Sequence, residues 1–373
     1  MLRRAARCAA ALSVLPVLSV VSAAPALAAP SGDRVVLDAV NAEKAWKVTK
    51  GEGVIVAVLD GRVDGGASEL KGRVEQGPDM TGTVFGRAKS SPGEATAAAS
   101  LIAGDGSGGG AWGVAPRARI LSIPVISETL PGDFVDPQAE PGVAIDSPLA
   151  RAIRHAANNG ASVISVPTGS YAVGRMDRDA ISYALSRGVV IVSGVGDGGD
   201  YWRFPAGYPG VVGVAAAGKG APTSTNLSVV VAAPGVDLPV ALPDGRHGHR
   251  TGSGPASAIV AGVAALIKAR YPDLKPELVT RALITTSRRG APGYDKKTGF
   301  GVVDAAAALA RAGELGGYAR TVPVEEDLHF GDGKLTPGPA RPGPDPVRLW
   351  IYGIGVLLGV GAFVAAVVAL TRR

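Results

Sequence analysis

The sequence predicts an α/β fold: a mainly parallel sheet covered by helices on both faces. Three observations predict it. First, short apolar runs rich in Val and Ile recur at 54–59, 119–125, 162–166, 189–193, 211–215 and 229–231. Side chains alternate between the faces of a strand, so a strand apolar at successive positions is buried on both. Second, Ala-rich stretches of helical length alternate with these runs or follow them, at 95–103, 149–158, 178–186, 255–269, 276–285 and 303–312. Third, about 300 residues lie between the two end segments described next, a length that suits one large domain. No internal repeat is visible.

Taken in order, the chain opens with a leader. Arg3, Arg4 and Arg7 precede an apolar stretch over 9–21, and Ala26-Leu27-Ala28 has the small-x-small pattern of a cleavage site. Residues 1–28 are therefore expected to be a signal peptide, and 29–330 the exported domain. The run over 54–59 leads into Asp60, and Asp197 follows the run over 189–193. In open parallel sheets the site lies beyond the carboxyl ends of strands. Glu94 stands at the start of the 95–103 helix, where the helix dipole favours an acid. At the start of the 255–269 helix, Ser253 is the expected cap and Pro255 suits the first turn. Residues 130–147, with Pro and Asp, are expected to form an exposed loop and a partner surface. The Pro- and Gly-rich stretch 331–346 predicts an extended spacer. Residues 349–370 carry no charge. As a helix they reach about 33 Å, enough to cross a bilayer. A transmembrane helix is thus expected over 347–371, with 372–373 as a basic cytoplasmic tail. The expected protein is a single-pass, type I protein of the cell membrane, with its domain on the extracytoplasmic side.

The formal charge of +6 comes from the ends. Arg3, Arg4 and Arg7 lie in the leader, and Arg348, Arg372 and Arg373 flank the apolar helix, so the domain is neutral. Neutrality and the lack of a basic-aromatic stripe argue against a nucleic-acid partner. Cys8, the single cysteine, lies in the leader, which excludes disulfides and cysteine metal sites in the domain. In Arg246-His247-Gly248-His249-Arg250, two histidines are spaced by one, but no acid adjoins them and two arginines repel a cation. This segment is expected to be a solvated loop. Neither a metal nor any other cofactor is expected.

Several phrases, in order, carry a family resemblance. Val54-Ile55-Val56-Ala57-Val58-Leu59-Asp60 is followed by Gly113-Val114-Ala115-Pro116-Arg117-Ala118. Next come Phe204-Pro205-Ala206-Gly207-Tyr208-Pro209-Gly210, Ala233-Pro234-Gly235 and Gly262-Val263-Ala264-Ala265-Leu266, and last Gly299-Phe300-Gly301-Val302-Val303-Asp304. Between about 42 and 312 the chain resembles the subtilases. The resemblance implies a subtilisin-like three-layer fold. With the leader, spacer, apolar helix and basic tail, the chain further resembles the mycosins, membrane-anchored subtilases that accompany type VII secretion.

The resemblance also assigns positions. A serine protease needs a nucleophile, a base, a carboxylate that orients the base, and donors for the oxyanion. Asp60 stands at the aspartate position, with Arg62 as an expected partner of Asp60 or Asp64. Glu94 stands at the histidine position; an ionised carboxylate only accepts hydrogen bonds and does not act as imidazole does near neutral pH. Asp197 takes the place of the oxyanion asparagine, and Gly254 that of the serine. Ser253 is the fallback nucleophile, one residue out of helical phase. Glu94 and Asp197 also match the sedolisins, which share this fold, but Ala98 stands where their second acid would be, and Gly254 removes their serine too.

Loss of the serine or histidine from subtilisin costs about 10⁶-fold in kcat. The resulting expectation is an inactive mycosin-like homologue, a pseudoprotease that binds an extended peptide or protein or serves as a scaffold for secretion machinery. Two alternatives stay open at this point. One is an active peptidase using Ser253 or a sedolisin-like Glu94/Asp197 site; the other is an envelope adhesion module.

Overall fold

The computed structural model describes residues 34–81, 93–126, 147–170, 174–289, 293–318 and 346–372. The expected signal peptide, most of the 130–147 loop and nearly all of the 331–346 spacer lie outside the described residues. Contacts divide the chain into two units, 1–320 and 321–373.

In the first unit, two short helices, α1 (Val35–Ala39) and α2 (Ala42–Ala45), precede the first strand, β1 (Ile55–Asp60). The strands β2 (Val74–Gln76), β3 (Arg119–Pro124), β4 (Ala161–Val166), β5 (Val190–Gly194), β6 (Val211–Ala217) and β7 (Val231–Pro234) join it. All seven pair in parallel, in the order β2-β3-β1-β4-β5-β6-β7. Five longer helices alternate with or follow them: α3 (Gly93–Ala103), α4 (Pro148–Asn158), α5 (Arg175–Ser186), α6 (Ser253–Arg270) and α7 (Pro276–Thr286). Helix α8 (Ala305–Tyr318) ends the unit. The expected strands and helices are present, shifted by one to three residues at most of their ends. The sequence reading missed β2, α1 and α2.

Alternation along the strands divides the core. Val56 and Val58 join one buried cluster with Ile120, Val192, Val214 and the α3 and α6 residues Leu101, Ile259 and Val263. Their neighbours Ala57 and Leu59 join a second cluster with Ile123, Ile164, Ile191 and the α4 and α5 residues Ile153 and Ile181. Consecutive residues of one strand thus face opposite helical layers, as the doubly apolar runs require. Helix α6 is buried along nearly its whole length. Its Gly262 admits Val114: a Cβ there would lie 2.7 Å from the Val114 Cβ.

One correction concerns 246–250. It is a strand, β9 (His247–Arg250), paired antiparallel with β8 (Leu238–Ala241), and not a loop, although its two histidines are exposed to solvent as expected. Anchoring explains it. His247 lies 3.2 Å from the buried Glu69 carboxylate, and Arg250 binds Glu94 at 2.6 Å. These partners are more than 150 residues away in sequence, and no local pattern reveals them.

The second unit contains α9 (Pro346–Thr371). Residues Tyr352–Thr371 have a mean hydropathy of 2.5. Among the described residues, α9 is the helix long and apolar enough to cross a membrane.

Candidate active-site cleft

The strands fan out in two directions from β1 and β4, and a crevice opens where the order reverses. Asp60 is the last residue of β1, and Thr168 lies two residues past β4. Across this crevice the Thr168 hydroxyl donates to Asp60 Oδ2 at 2.7 Å, and the Gly61 N–H donates to Oδ1 at 2.7 Å. Asp60 is buried. Its pKa is raised above the ordinary value because burial penalises the carboxylate; the two hydrogen bonds oppose this, and the charge of Glu94 adds to it. Arg62 is not its partner: it donates to Gln76 at 3.1 Å and lies 3.8 Å from Asp79. The chain turns outward after β1, leaving the Arg62 side chain half exposed.

Glu94 occupies the first turn of α3, as the helix dipole favours. Its Oε1 accepts from Arg250 Nε at 2.6 Å, so β9 brings a cation onto the rim of the cleft. Asp197 lies on the loop after β5, and its Oδ1 accepts from the Ser253 N–H at 2.6 Å. In return the Ser253 Oγ accepts from the Gly196 N–H at 3.0 Å. Ser253 is therefore not the cap of α6. The N-cap is Gly252, which has no side chain, and a carboxylate from a distant loop takes the first helical N–H instead. The φ of Gly252 is 144°, and a Cβ on it would lie 2.4 Å from Asp197 Oδ2, so the close approach of this acid requires glycine there. Gly254 lies one residue further along, partly exposed, and a Cβ on it would lie 3.2 Å from the Pro167 carbonyl oxygen.

These groups enclose one cleft. Glu94, Ala97 and Ala98 line it from α3, and Pro167, Thr168 and Gly169 from beyond β4. Gly196, Asp197 and Arg203 line it from beyond β5, and Thr251, Ser253, Gly254 and Pro255 from the tip of α6. The structure thus gathers Glu94, Asp197, Ser253 and Gly254 around one space, and Asp60 is joined to its wall through Thr168. Sequence reasoning missed Thr168, Arg203 and the role of Arg250. For Thr168 a signal existed: Pro167-Thr168-Gly169 directly follows a predicted strand. Among the described residues, no group of three or more His, Cys, Asp or Glu could hold a metal ion.

The subtilase family matches residues 51–301. The chain is a subtilase. Over 88% of its length this subtilase is 32% identical to Mycosin-1 of Mycobacterium tuberculosis (strain ATCC 25618 / H37Rv), and it spans 83% of that protein. It also matches the crystal structure of MycP1 with the N-terminal propeptide removed, at 28% identity and a TM-score of 0.62, covering 74% of this chain and 96% of that one. Another MycP1 structure matches at 28% identity and a TM-score of 0.61, over 74% of this chain and 87% of the other. It is described as a serine protease and an essential component of the type VII (ESX-1) secretion system.

This finding overturns one expectation. The relative that the subtilase matches over most of both chains is described as a serine protease, so the inactive homologue, and with it the pseudoprotease, is not supported. The inference from missing residues was too strong on physical grounds. Roles in a catalytic unit are not additive, and an enzyme stripped of its triad keeps about 10³- to 10⁴-fold catalysis from binding and oxyanion stabilisation.

Proposed function

We propose that this subtilase is a membrane-anchored component of a type VII secretion system that takes an extended segment of a peptide or protein into the cleft at the tip of α6. The observation that carries the proposal is the open cleft beside Gly254, in a chain similar to Mycosin-1 over 88% of its length. Glycine at this rim lets a backbone approach closely, and an extended peptide pairs with such a cleft through its main chain. In this reading Asp60 and Thr168 brace the crevice between β1 and β4, Arg250 holds Glu94 at its rim, and Asp197 holds the helix tip. Residues 1–28 are removed on export, 29–330 form the extracytoplasmic domain, and 331–346 space it from the membrane helix over 347–371, which leaves 372–373 in the cytoplasm. The test is peptide binding by the full chain in detergent, compared with a Gly254→Leu variant. Tight binding that the leucine abolishes, with the melting temperature kept, supports the proposal; binding indifferent to residue 254 refutes it.

A second reading keeps peptide hydrolysis in the same cleft, with Ser253 as the hydroxyl at the helix tip. Its support is that the Ser253 Oγ lies within 3.0 Å of the Gly196 N–H, in the wall of the cleft. A serine-directed phosphonate, mapped by mass spectrometry, tests this directly. An adduct on Ser253 upholds the reading, and an unlabelled Ser253 overturns it.

A further inference from the structure

Three residues with a hydroxyl line the cleft: Thr168, Thr251 and Ser253. Their partners differ. The Thr251 Oγ1 accepts from the Asp237 N–H at 2.9 Å, and the Ser253 Oγ accepts from the Gly196 N–H at 3.0 Å. Among the described residues, neither of these hydroxyls donates to a carboxylate. Thr168 does: its Oγ1 donates to Asp60 Oδ2 at 2.7 Å. Thr168 is exposed, whereas Asp60 is buried, so the acid meets the cleft through this hydroxyl.

A hydroxyl becomes a nucleophile when a base within hydrogen-bond reach takes its proton and a third group orients that base. Here the base is Asp60, and the Gly61 N–H fixes its other oxygen at 2.7 Å. Burial raises the pKa of Asp60, which makes it a stronger base than an exposed aspartate. The tip of α6 borders the same space. Gly254 lines the cleft, and a Cβ on it would lie 3.2 Å from the carbonyl oxygen of Pro167, the residue before Thr168. In the first turn of a helix the Gly254 N–H has no intrahelical acceptor, and the helix dipole is positive there. A carbonyl group that enters beside Thr168 thus meets a hydroxyl with a base behind it, near the positive end of an 18-residue helix.

We infer that Thr168 and Asp60 form a catalytic dyad, in which Thr168 is a nucleophile toward peptide bonds and Asp60 is its general base. This role rests on the reading that the cleft hydrolyses a peptide, and it moves the attack from Ser253 to Thr168. The Thr168 Oγ1 bonds to the carbonyl carbon while its proton passes to Asp60 Oδ2. The C–N bond breaks, and the amine leaves with that proton. Water then attacks the ester on Thr168; one water proton returns through Asp60 to the threonine oxygen, and the new carboxylic acid departs. The test gives the full chain in detergent a fluorescently labelled, unfolded casein. In a separate sample it adds a β-lactone, which opens onto a nucleophilic hydroxyl and leaves an ester that mass spectrometry maps. The wild type is expected to cut casein and to carry the ester on Thr168. Thr168→Val and Asp60→Asn should each lose at least about a hundredfold in rate, the scale of a lost general base. Asp60→Asn should also lose the ester, and Thr168→Ser, which keeps the hydroxyl, should keep most of the rate. Melting curves separate lost chemistry from lost folding, and the lactone map needs no variant. An unmodified Thr168, or cutting indifferent to Thr168→Val, overturns the dyad, while continued cutting by the wild type leaves the hydrolytic cleft standing. No cutting by the wild type overturns the dyad and the hydrolytic reading together.

Discussion

The two ends of helix α6 are held in opposite ways. At its C-terminus, Lys268 curls over the chain that leaves the helix and donates to the carbonyls of Pro272 and Leu274, the latter at 3.0 Å. Everything needed lies within six residues. The amine is sequestered with these carbonyls, and its pKa is lowered because burial disfavours the charge. At its N-terminus the helix supplies no cap of its own. Gly252 leaves the place empty, and Asp197 reaches it from more than fifty residues away. The closed end is a structural joint made by local sequence. The open end is assembled from separate loops, and the space between those loops is the cleft.

Breaking the closed end should cost the most. Lys268→Met leaves two carbonyls without their donor, and at about 1–3 kcal/mol for each orphaned group the loss should reach about 3 kcal/mol. Chemical denaturation of the domain reads it directly. A smaller loss is expected at the open end. Asp197→Ala removes a borrowed cap worth about 1 kcal/mol, and peptide affinity should fall more than stability does, since the 196–197 wall loses one of its two hydrogen bonds to Ser253.

The pH dependence sharpens the contrast further. The raised pKa of Asp60 means that folding favours its neutral form. Its contribution is present in full below the ordinary carboxylate value of 3.8 and is lost as pH rises through the higher folded value. Relative to wild type, Asp60→Asn should therefore gain melting temperature with rising pH above about 4, and no gain in a pH series of melts would refute a raised pKa. The smallest effect belongs to the Glu94–Arg250 pair. With side chains 54% and 29% exposed, it should contribute no more than about 0.5–1 kcal/mol. Glu94→Gln should leave the melting temperature nearly unchanged, and a large drop would show that the β8–β9 hairpin depends on this pair.

Legibility in the sequence followed the range of the interactions. The six runs of apolar residues marked β1, β3, β4, β5, β6 and β7 because burial on both faces writes itself into consecutive residues. Strand β2 escaped because Val74-Glu75-Gln76 is short, mostly polar and at the sheet edge. Strand β9 escaped because its histidines and arginines look like a solvated segment until Glu69 and Glu94 are placed beside them. At the site, Asp60, Glu94, Asp197, Ser253 and Gly254 were all singled out from the sequence; four of them line one cleft, and Asp60 is bonded to its wall through Thr168. Their partners were not legible. Arg62 was expected at Asp60 or Asp64, but Thr168 is found at Asp60 instead, and Ser253 was expected to cap a helix that Asp197 caps.

The sequence by itself determined the layered sheet, the apolar C-terminal helix and the subtilase family, because these rest on hydrophobic periodicity and on phrases of adjacent residues. Only the tertiary structure decided which polar groups meet: Arg250 on Glu94, Asp197 on the tip of α6, His247 against Glu69, and Thr168 on Asp60. Such pairings depend on where the ends of different strands come to lie, and a one-dimensional pattern does not encode distances between residues far apart along the chain.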